Sequence, residues 1–572
     1  MACGIALGIL ILAPGLSVRA DTVTALAETE SQRIELVKQL SPQVVSIFSP
    51  GGKDGGSGVL ISADGLALTN FHVVAGSTPA LKCGLADGNV YDAVIVGIDA
   101  TGDVALIKLL GRDDFPVAAL GDSDRVRVGD WVMAMGNPFL LATDFNPTVT
   151  LGLISGIHRY QYPSGTLLEY ADCLQTDASI NPGNSGGPLF ALDGSLIGIN
   201  GRCSFEKRGR VNVGVAYSIS INQIKNFLSV LASGRLADHA ALGAIVDSDL
   251  NGRVIVSDIL ESSDAYRRGL RLGDEIVRFA DSPIRSVNAF KNALGTLPEG
   301  WRVPLVFRRR GELHEISVRL ASLHQPGELA ARVQVAPRAP SPLPEGAPEA
   351  PHAPAEASAV PEQVAQQFIV RPGFVNYYFN QQHQDRVAAA CRARGDFSAL
   401  RNSWAVSGKL PNGGRADFEL DDQQCTVKLP LGHFDLTVSD DLSGETDPPG
   451  SGGLLTALWV WRRWLIDGPA GFDQCQYLGQ MPLVWDAPWC EAVEVLVGGT
   501  RSRIYFDATE GWISAIELWR EADADPCEVR FTNYRPQQDQ QFASRIEVRH
   551  GDVEYGVVDD LTLQVLAPQT ED

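Results

Sequence analysis

Residues 175–189 read QTDASINPGNSGGPL and set Ser185 among three glycines, Gly183, Gly186 and Gly187. Glycine lets a backbone turn sharply, so the N–H groups around Gly183, Asn184 and Ser185 can converge on one point and hold a negatively charged oxygen there. A serine at the centre of such a loop is a candidate nucleophile. Its chemistry needs a base to take the hydroxyl proton and a third group to orient that base.

Two upstream stretches supply candidates. In GSGVLISADGLALTNFHVVAG, His72 follows a strand-like run and is flanked by small residues. In DATGDVALIKL, Asp103 immediately precedes an apolar strand, where a carboxylate can be half-buried against an imidazole. Taken singly, a lone His is more often structural and an Asp at this position more often belongs to a turn. Taken together, the order His, Asp, Ser with gaps of about 31 and about 82 residues suits two barrels that bring the three groups together across a cleft. From Val44 to about Leu231 the texture agrees: short runs such as VVSIF, GVLIS, DAVIVGI, WVMAM and SLIGING alternate with Gly, Asp, Asn and Pro.

TNFHVV, DVALIKL, GNPF and QTDASINPGNSGGPLF resemble the HtrA/DegP family of trypsin-like serine proteases, over about residues 44–320. The resemblance implies a chymotrypsin-like double β-barrel of six strands each and ATP-independent endoproteolysis of misfolded or specific proteins outside the cytoplasm. It also implies a homotrimer or higher homo-oligomer. By motif, His72 becomes the general base, Asp103 its orienting carboxylate and Ser185 the nucleophile, with Gly183, Asn184 and Ser185 forming the oxyanion hole. Because Asn184 is an amide, it cannot pair with a new N-terminus, so ordering of activation loops is the expected control. The pocket for the residue before the scissile bond is expected at Ser179, Ile180, Val215, Ala216 and Tyr217, none of them charged, which predicts cleavage after Val, Ala or Ile. Between Phe48 and Ser57 the loop is short, which argues against cage assembly through a long arm.

A smaller mixed unit follows. ALGAIV, SSDAYRRGLRLGDEIVRFAD and SVNAFKNAL resemble a PDZ domain, a small α/β module. This implies that Leu242, Gly243, Ala244 and Ile245 bind a C-terminal peptide, the backbone holding the carboxylate while the chain adds as an edge strand. A groove used only for packing is the alternative.

The remaining chain sets the boundaries. At 572 residues it exceeds one core. The segment 1–20, MACGIALGILILAPGLSVRA, reads as a signal peptide for a periplasmic or secreted protein, or, lacking Lys and Arg at its start, as a retained anchor. Residues 21–41 read as a lead-in helix, 42–233 as the protease domain and 238–321 as the PDZ domain. Residues 322–363 form a Pro/Ala-rich linker unable to bury enough apolar surface to fold, and 364–568 a β-rich domain holding eight of the ten Trp residues. The last domain resembles, through its meander and FTNYRPQQDQQFASRIEV, the half-barrel of outer-membrane lipoprotein carriers. That would imply an apolar ligand or an envelope component as its occupant, with a structural appendage as the open alternative. Its segment GLLTALWVWRRWLI is expected to be a core helix, the other reading being a lid or interfacial helix.

Composition narrows the partners. Hydrophobic residues make up 45% and charged residues 20%, as in ordinary globular protein, and 47 Lys and Arg against 69 Asp and Glu leave a net charge of −22. Such a surface repels phosphate backbones, so no nucleic acid partner is expected; unfolded or extended polypeptides are the partners that the HtrA/DegP resemblance implies. No CxxC pair is present, and no metal or cofactor is expected. Without Cys3, three early and five late cysteines remain, odd groups that call for free thiols or a bridge between domains. A competing reading of the whole chain is a chaperone or scaffold that binds unfolded chains with little or no cleavage.

Overall fold

A computed structural model describes residues 16–48, 55–77, 79–137, 144–162, 168–181, 183–205, 212–325, 327–335, 360–444, 446–521, 523–537 and 539–566. The signal-peptide reading falls largely on residues 1–15, outside the described residues. A single helix, Leu16–Leu40, runs through the expected boundary at residue 20 into the lead-in segment. Among the described residues no helix is long and apolar enough to cross a membrane.

The first barrel is built from β1 (Val44–Phe48), β2 (Gly55–Leu60), β3 (Leu66–Thr69), β4 (Ala80–Leu85), β5 (Val90–Asp99) and β6 (Val104–Leu109). It closes because β5 pairs with β4 on one side and β6 on the other. Its interior holds Val45, Ile47, Leu60, Ala67, Leu81, Ile95 and Ile107, the inward members of strands whose side chains alternate between faces. The second barrel comprises β7 (Trp131–Gly136), β8 (Thr148–Gln161), β9 (Tyr170–Thr176), β10 (Pro188–Ala191), β11 (Leu196–Phe205) and β12 (Asn212–Ser220). It is closed by the pairing of β10 with β7. A third cluster, including Val59, Leu68, Leu106, Met135, Phe190 and Ile219, joins the two barrels and is capped by Leu40 and by Phe227 of the helix Ile221–Ala232.

The next unit has a sheet ordered Ala244–Ser248, Val254–Ile259, Glu275–Phe279, Arg302–Arg309, Glu312–Arg319, with short helices at Asp264–Arg267 and Val287–Gly295.

Part of the expected spacer is folded. Ala321–Ser322 pairs with Ala240–Ala241, and in the helix Glu328–Val335 Leu329 is buried in the core of the first barrel. Val364, in the helix Glu362–Ala365, packs on Val94 and Leu110. Averaging composition over 322–363 hid the apolar anchor Leu329, whereas Val364 opens the domain expected from residue 364. Residues 336–359, which carry the Pro/Ala run, lie outside the described residues.

The C-terminal unit is an open sheet of eleven antiparallel strands running from Gly432–Thr437 at one edge to Gln474–Pro482 at the other. The helix Leu454–Asp467 packs against strands near one edge, such as Gln424–Leu429, and also against Ile513–Trp519 and Cys527–Gln537 further round. Eleven of its fourteen residues are buried, including Trp459, Trp461 and Trp464. A helix buried on nearly every side belongs inside a core, and this one fills the inner face of the sheet, its buried Arg462 hydrogen-bonded to Asp422 and to the Arg401 carbonyl. The spaces lined by Trp461, Phe397 and Tyr534 and by Phe418, Leu458 and Ile546 hold only about 20 and about 10 Å³, too small for an apolar ligand.

The outer face of this sheet packs on the PDZ unit. Leu478, Met481, Cys490, Ala492, Tyr505 and Ala515 share one core with Phe279, Leu305 and Trp301, and Trp301 meets Trp489 edge-on at 5.0 Å. Beside this contact, the fully buried Glu517 accepts hydrogen bonds from Arg302 at 2.5 Å, from Tyr505 at 2.7 Å and from Arg319. Burial would raise its pKa, but the charges of Arg319 and Arg302 outweigh that and hold its carboxyl well below the usual range. Removing one partner of such a network strands the others in the protein interior. Glu517→Ala is therefore expected to cost about 3–5 kcal/mol, read as an earlier urea transition by tryptophan fluorescence. Because the folded pKa is depressed, this contribution is present above the unfolded value of 4.5 and is lost as pH falls through the lower folded value.

Seven cysteines, Cys83, Cys173, Cys391, Cys425, Cys475, Cys490 and Cys527, are buried free thiols. Of the two outcomes left open by their odd grouping, these take the first.

Candidate active site

His72 sits on a one-turn helix, Phe71–Val74, just after β3, and Asp103 on the tight turn between β5 and β6. The turn takes Asp103 to φ +59, a left-handed conformation uncommon for a residue with a side chain. It is held there because its carbonyl accepts from Asn70 Nδ2 at 2.9 Å and from the Phe71 N–H at 3.2 Å. Its carboxylate, with no exposed surface, faces His72. Oδ2 lies 2.8 Å from Nδ1, and Oδ1 accepts the His72 main-chain N–H at 3.0 Å. Burial pulls the imidazole pKa down, but the Asp103 charge and hydrogen bond more than offset this and raise it above 6.5. With its Nδ1–H donating a hydrogen bond to Asp103, the ring presents Nε2 as a base.

Ser185 lies on the loop between β9 and β10. The Gly186 backbone has φ +82, and a Cβ there would fall 2.2 Å from the Ser57 carbonyl, so no other residue fits. Ser57 ties this loop to the first barrel. Its N–H donates to the Ser185 carbonyl at 2.9 Å and its hydroxyl to the Gly183 carbonyl at 2.7 Å, while Oγ accepts the Asn137 N–H at 2.9 Å. The Asn184 N–H is committed to the Asn181 carbonyl at 2.9 Å. Among the described residues the N–H groups of Gly183 and Ser185 have no partner. Two free donors are what an oxyanion requires, and the expectation that Asn184 adds a third is corrected. Its side chain is fully buried, with neither amide atom partnered among the described residues.

The Ser185 hydroxyl donates to the Gly201 carbonyl at 3.4 Å, and no hydrogen bond joins it to His72. Proton transfer to Nε2 requires the hydroxyl to leave this acceptor and turn toward the imidazole.

Of the expected pocket residues, Ser179 is exposed and Val215 and Tyr217 are half-buried. Ile180 and Ala216 have no exposed surface and pack inside the second barrel with Leu189 and Ile197. They cannot line an open pocket: alternation along β12 turns Ala216 away from the face shared by Val215 and Tyr217.

At the PDZ unit, Gly243 adopts φ +74, and the N–H groups of Leu242 and Gly243 have no partner among the described residues. The Leu242 side chain is in the core, so only its backbone is available. Ala244 and Ile245 open the edge strand Ala244–Ser248, with Ile245 exposed. The helix Val287–Gly295 beside that edge also sits on the peptidase. Asn292 accepts the Asp172 N–H at 2.9 Å and donates to the His158 carbonyl at 2.8 Å, and Lys291 lies 4.6 Å from the Tyr162 ring centroid.

Tyr170, Ser57 and Asn137 were not identified from sequence. Each acts through distant partners, and no local pattern marks it.

Two closed six-stranded barrels and an attached unit with a six-stranded sheet, its sixth strand the short Ser282–Pro283, define the class. Residues 56–199 match the trypsin-like peptidase domain and residues 240–320 the PDZ domain, so the chain carries both, in the arrangement its motifs implied for an HtrA-type protein. It is similar to the periplasmic serine endoprotease DegP of Escherichia coli K12, at 36% identity over 311 residues, covering 50% of this chain and 63% of the relative. It is also similar to a probable serine protease do-like of Buchnera aphidicola subsp. Acyrthosiphon pisum, at 37% over 278 residues, covering 46% and 56%. The match thus spans less than two thirds of these relatives. Among solved structures, the HtrA-type protease AlgW with tripeptide is 30% identical, with 51% of this chain and 98% of that chain covered and a TM-score of 0.43.

Proposed function

We propose that the protein is an ATP-independent serine endopeptidase acting on misfolded or extended polypeptides outside the cytoplasm, with substrate recognition regulated through its PDZ domain. The observation that carries this reading is the 2.8 Å contact of His72 with buried Asp103, beside a serine loop with two unpartnered N–H donors. In the proposed reaction His72 takes the Ser185 proton as Oγ attacks the substrate carbonyl, and the N–H groups of Gly183 and Ser185 hold the resulting oxyanion. Asp103 stabilises the imidazolium. His72 then protonates the departing amine, and a water activated by the same base hydrolyses the acyl-enzyme. The turned-away Ser185 hydroxyl supports control by ordering of the surrounding loops. A homotrimer or higher assembly, an export signal or anchor at the N-terminus, and C-terminal peptides at the Leu242–Ile245 edge are proposed on the HtrA/DegP resemblance. The half-barrel likeness of the last domain is supported by its open eleven-stranded sheet. The tight filling of that sheet favours a bracing role over ligand carriage.

Purified protein is expected to digest casein and to be labelled at Ser185 by a fluorophosphonate; failure of both under every activating condition would overturn the reading. With the pocket flanked by Ser179, Val215 and Tyr217, a peptide library is expected to show cuts after Val, Ala or Ile, and mainly Lys or Arg would refute that assignment. The base must be neutral, so kcat/KM is expected to fall with acid along a limb centred above 6.5. The same raised pKa means that the stabilisation of the folded state by the imidazolium–Asp103 pair is complete below 6.5 and is lost as pH rises through the higher folded value.

A further inference from the structure

Tyr170 opens β9 in the second barrel and is 2% exposed. Its hydroxyl donates at 2.5 Å to Asp103 Oδ2, the same oxygen that lies 2.8 Å from His72 Nδ1. The other donors to this carboxylate and its main chain, His72, Asn70 and Phe71, all come from the first barrel. Tyr170 therefore supplies a bond to the acid from across the cleft. Its ring is seated against Gly201, where an added Cβ would fall 2.7 Å from Cε1, and the Gly201 carbonyl is the acceptor of the Ser185 hydroxyl. The phenol thus lies between the carboxylate and the main chain that holds the serine.

A buried carboxylate can rotate about its last bond, and each rotation changes which lone pair meets the imidazole. A donor fixed on Oδ2 removes that freedom and draws part of that oxygen's charge away from the imidazole. A phenylalanine would fill the same space and do neither.

Resting on the peptidase reading above, we propose that Tyr170 is a positioning residue for the reaction. Its hydroxyl sets the rotation of the Asp103 carboxylate and shares its charge, so that His72 keeps its proton on Nδ1 and presents Nε2 to Ser185. The strength of this hydroxyl bond tunes the basicity of the imidazole. Without it the whole carboxylate charge falls on His72, which then holds its proton more tightly.

The test is Tyr170→Phe in the full chain. The kcat for peptide substrates falls about tenfold to a hundredfold while KM changes by less than about twofold, as expected for loss of one hydrogen bond to a charged group that matters only in the reaction. The acid limb of kcat/KM moves to higher pH. A second readout does not need activity: in a Ser185→Ala background, NMR titration of His72 gives a higher midpoint when Tyr170→Phe is added. Replacing tyrosines with 3-fluorotyrosine strengthens the donor without deleting it and moves the midpoint down, which keeps the test available if the phenylalanine variant does not fold. An unchanged His72 midpoint in these titrations, or an unchanged kcat in the variant, overturns the proposal. Absence of cleavage and labelling in the unaltered protein overturns the peptidase reading, and the His72 titration still decides the role of Tyr170.

Discussion

Ser185→Ala lowers kcat on casein by about a millionfold, the scale seen when a triad nucleophile is removed, while the protein stays folded. The hydroxyl makes one long hydrogen bond, to the Gly201 carbonyl at 3.4 Å, and the loop around it is held by main-chain bonds that alanine keeps. Stability is accordingly expected within about 0.5 kcal/mol of the unaltered protein. The N–H groups of Gly183 and of residue 185 survive the substitution, so what remains is the small catalysis that bound donors give to attack by water. Comparing purified variant and parent on casein, with matched thermal transitions, reads this directly. Residual cleavage above about 1% of the parent rate, far more than such donors supply, would mean that another nucleophile works at the site. The same variant probes the chaperone reading: suppression of aggregation retained without any proteolysis would show that both activities coexist.

Asp103→Asn is expected to lower kcat by about 10⁴ with little change in KM. The site gives the reason. The carboxylate accepts from three donors, the His72 ring, the His72 main chain and the Tyr170 hydroxyl. An amide has one acceptor oxygen, so its NH₂ must face a donor or the imidazole must switch tautomer and lose its free Nε2 lone pair. Asparagine tolerates positive φ, so the strained turn at this position can persist. A rise in KM of the same size as the fall in kcat would instead indicate a collapsed cleft.

The chemistry-bearing strings were legible because each is local. GNSGGP needs its glycines for the φ +82 turn at Gly186 and the close approach of Ser57, and those demands are written within six residues. Barrel strands announced themselves as short apolar and β-branched runs cut by Gly, Asp, Asn and Pro. Ile180 and Ala216 were misplaced as pocket walls because motif position gives neither the side of a loop nor the face of a strand that meets solvent. The excess donor assigned to Asn184 has a similar origin: the string does not say that its N–H is taken by Asn181. Tyr170 and Ser57 were invisible for a different reason, since their partners lie 67 and 126 residues away. In the C-terminal sheet the Trp-rich helix was read correctly as core, yet nothing local reveals that the opposite face of the sheet seats the PDZ unit.

The buried thiols carry a consequence for how the chain matures. Desolvation lifts Cys391 to about 11 and Cys425 and Cys475 to about 12, so at neutral pH almost none of these sulfurs is the reactive anion. Once folded, they are inert toward oxidants and toward exchange with other disulfides. A nascent chain enjoys no such shelter. In an oxidising surrounding its maturation becomes a race between core formation and the sealing of wrong crosslinks, one that a reductant during refolding would tilt toward the native state.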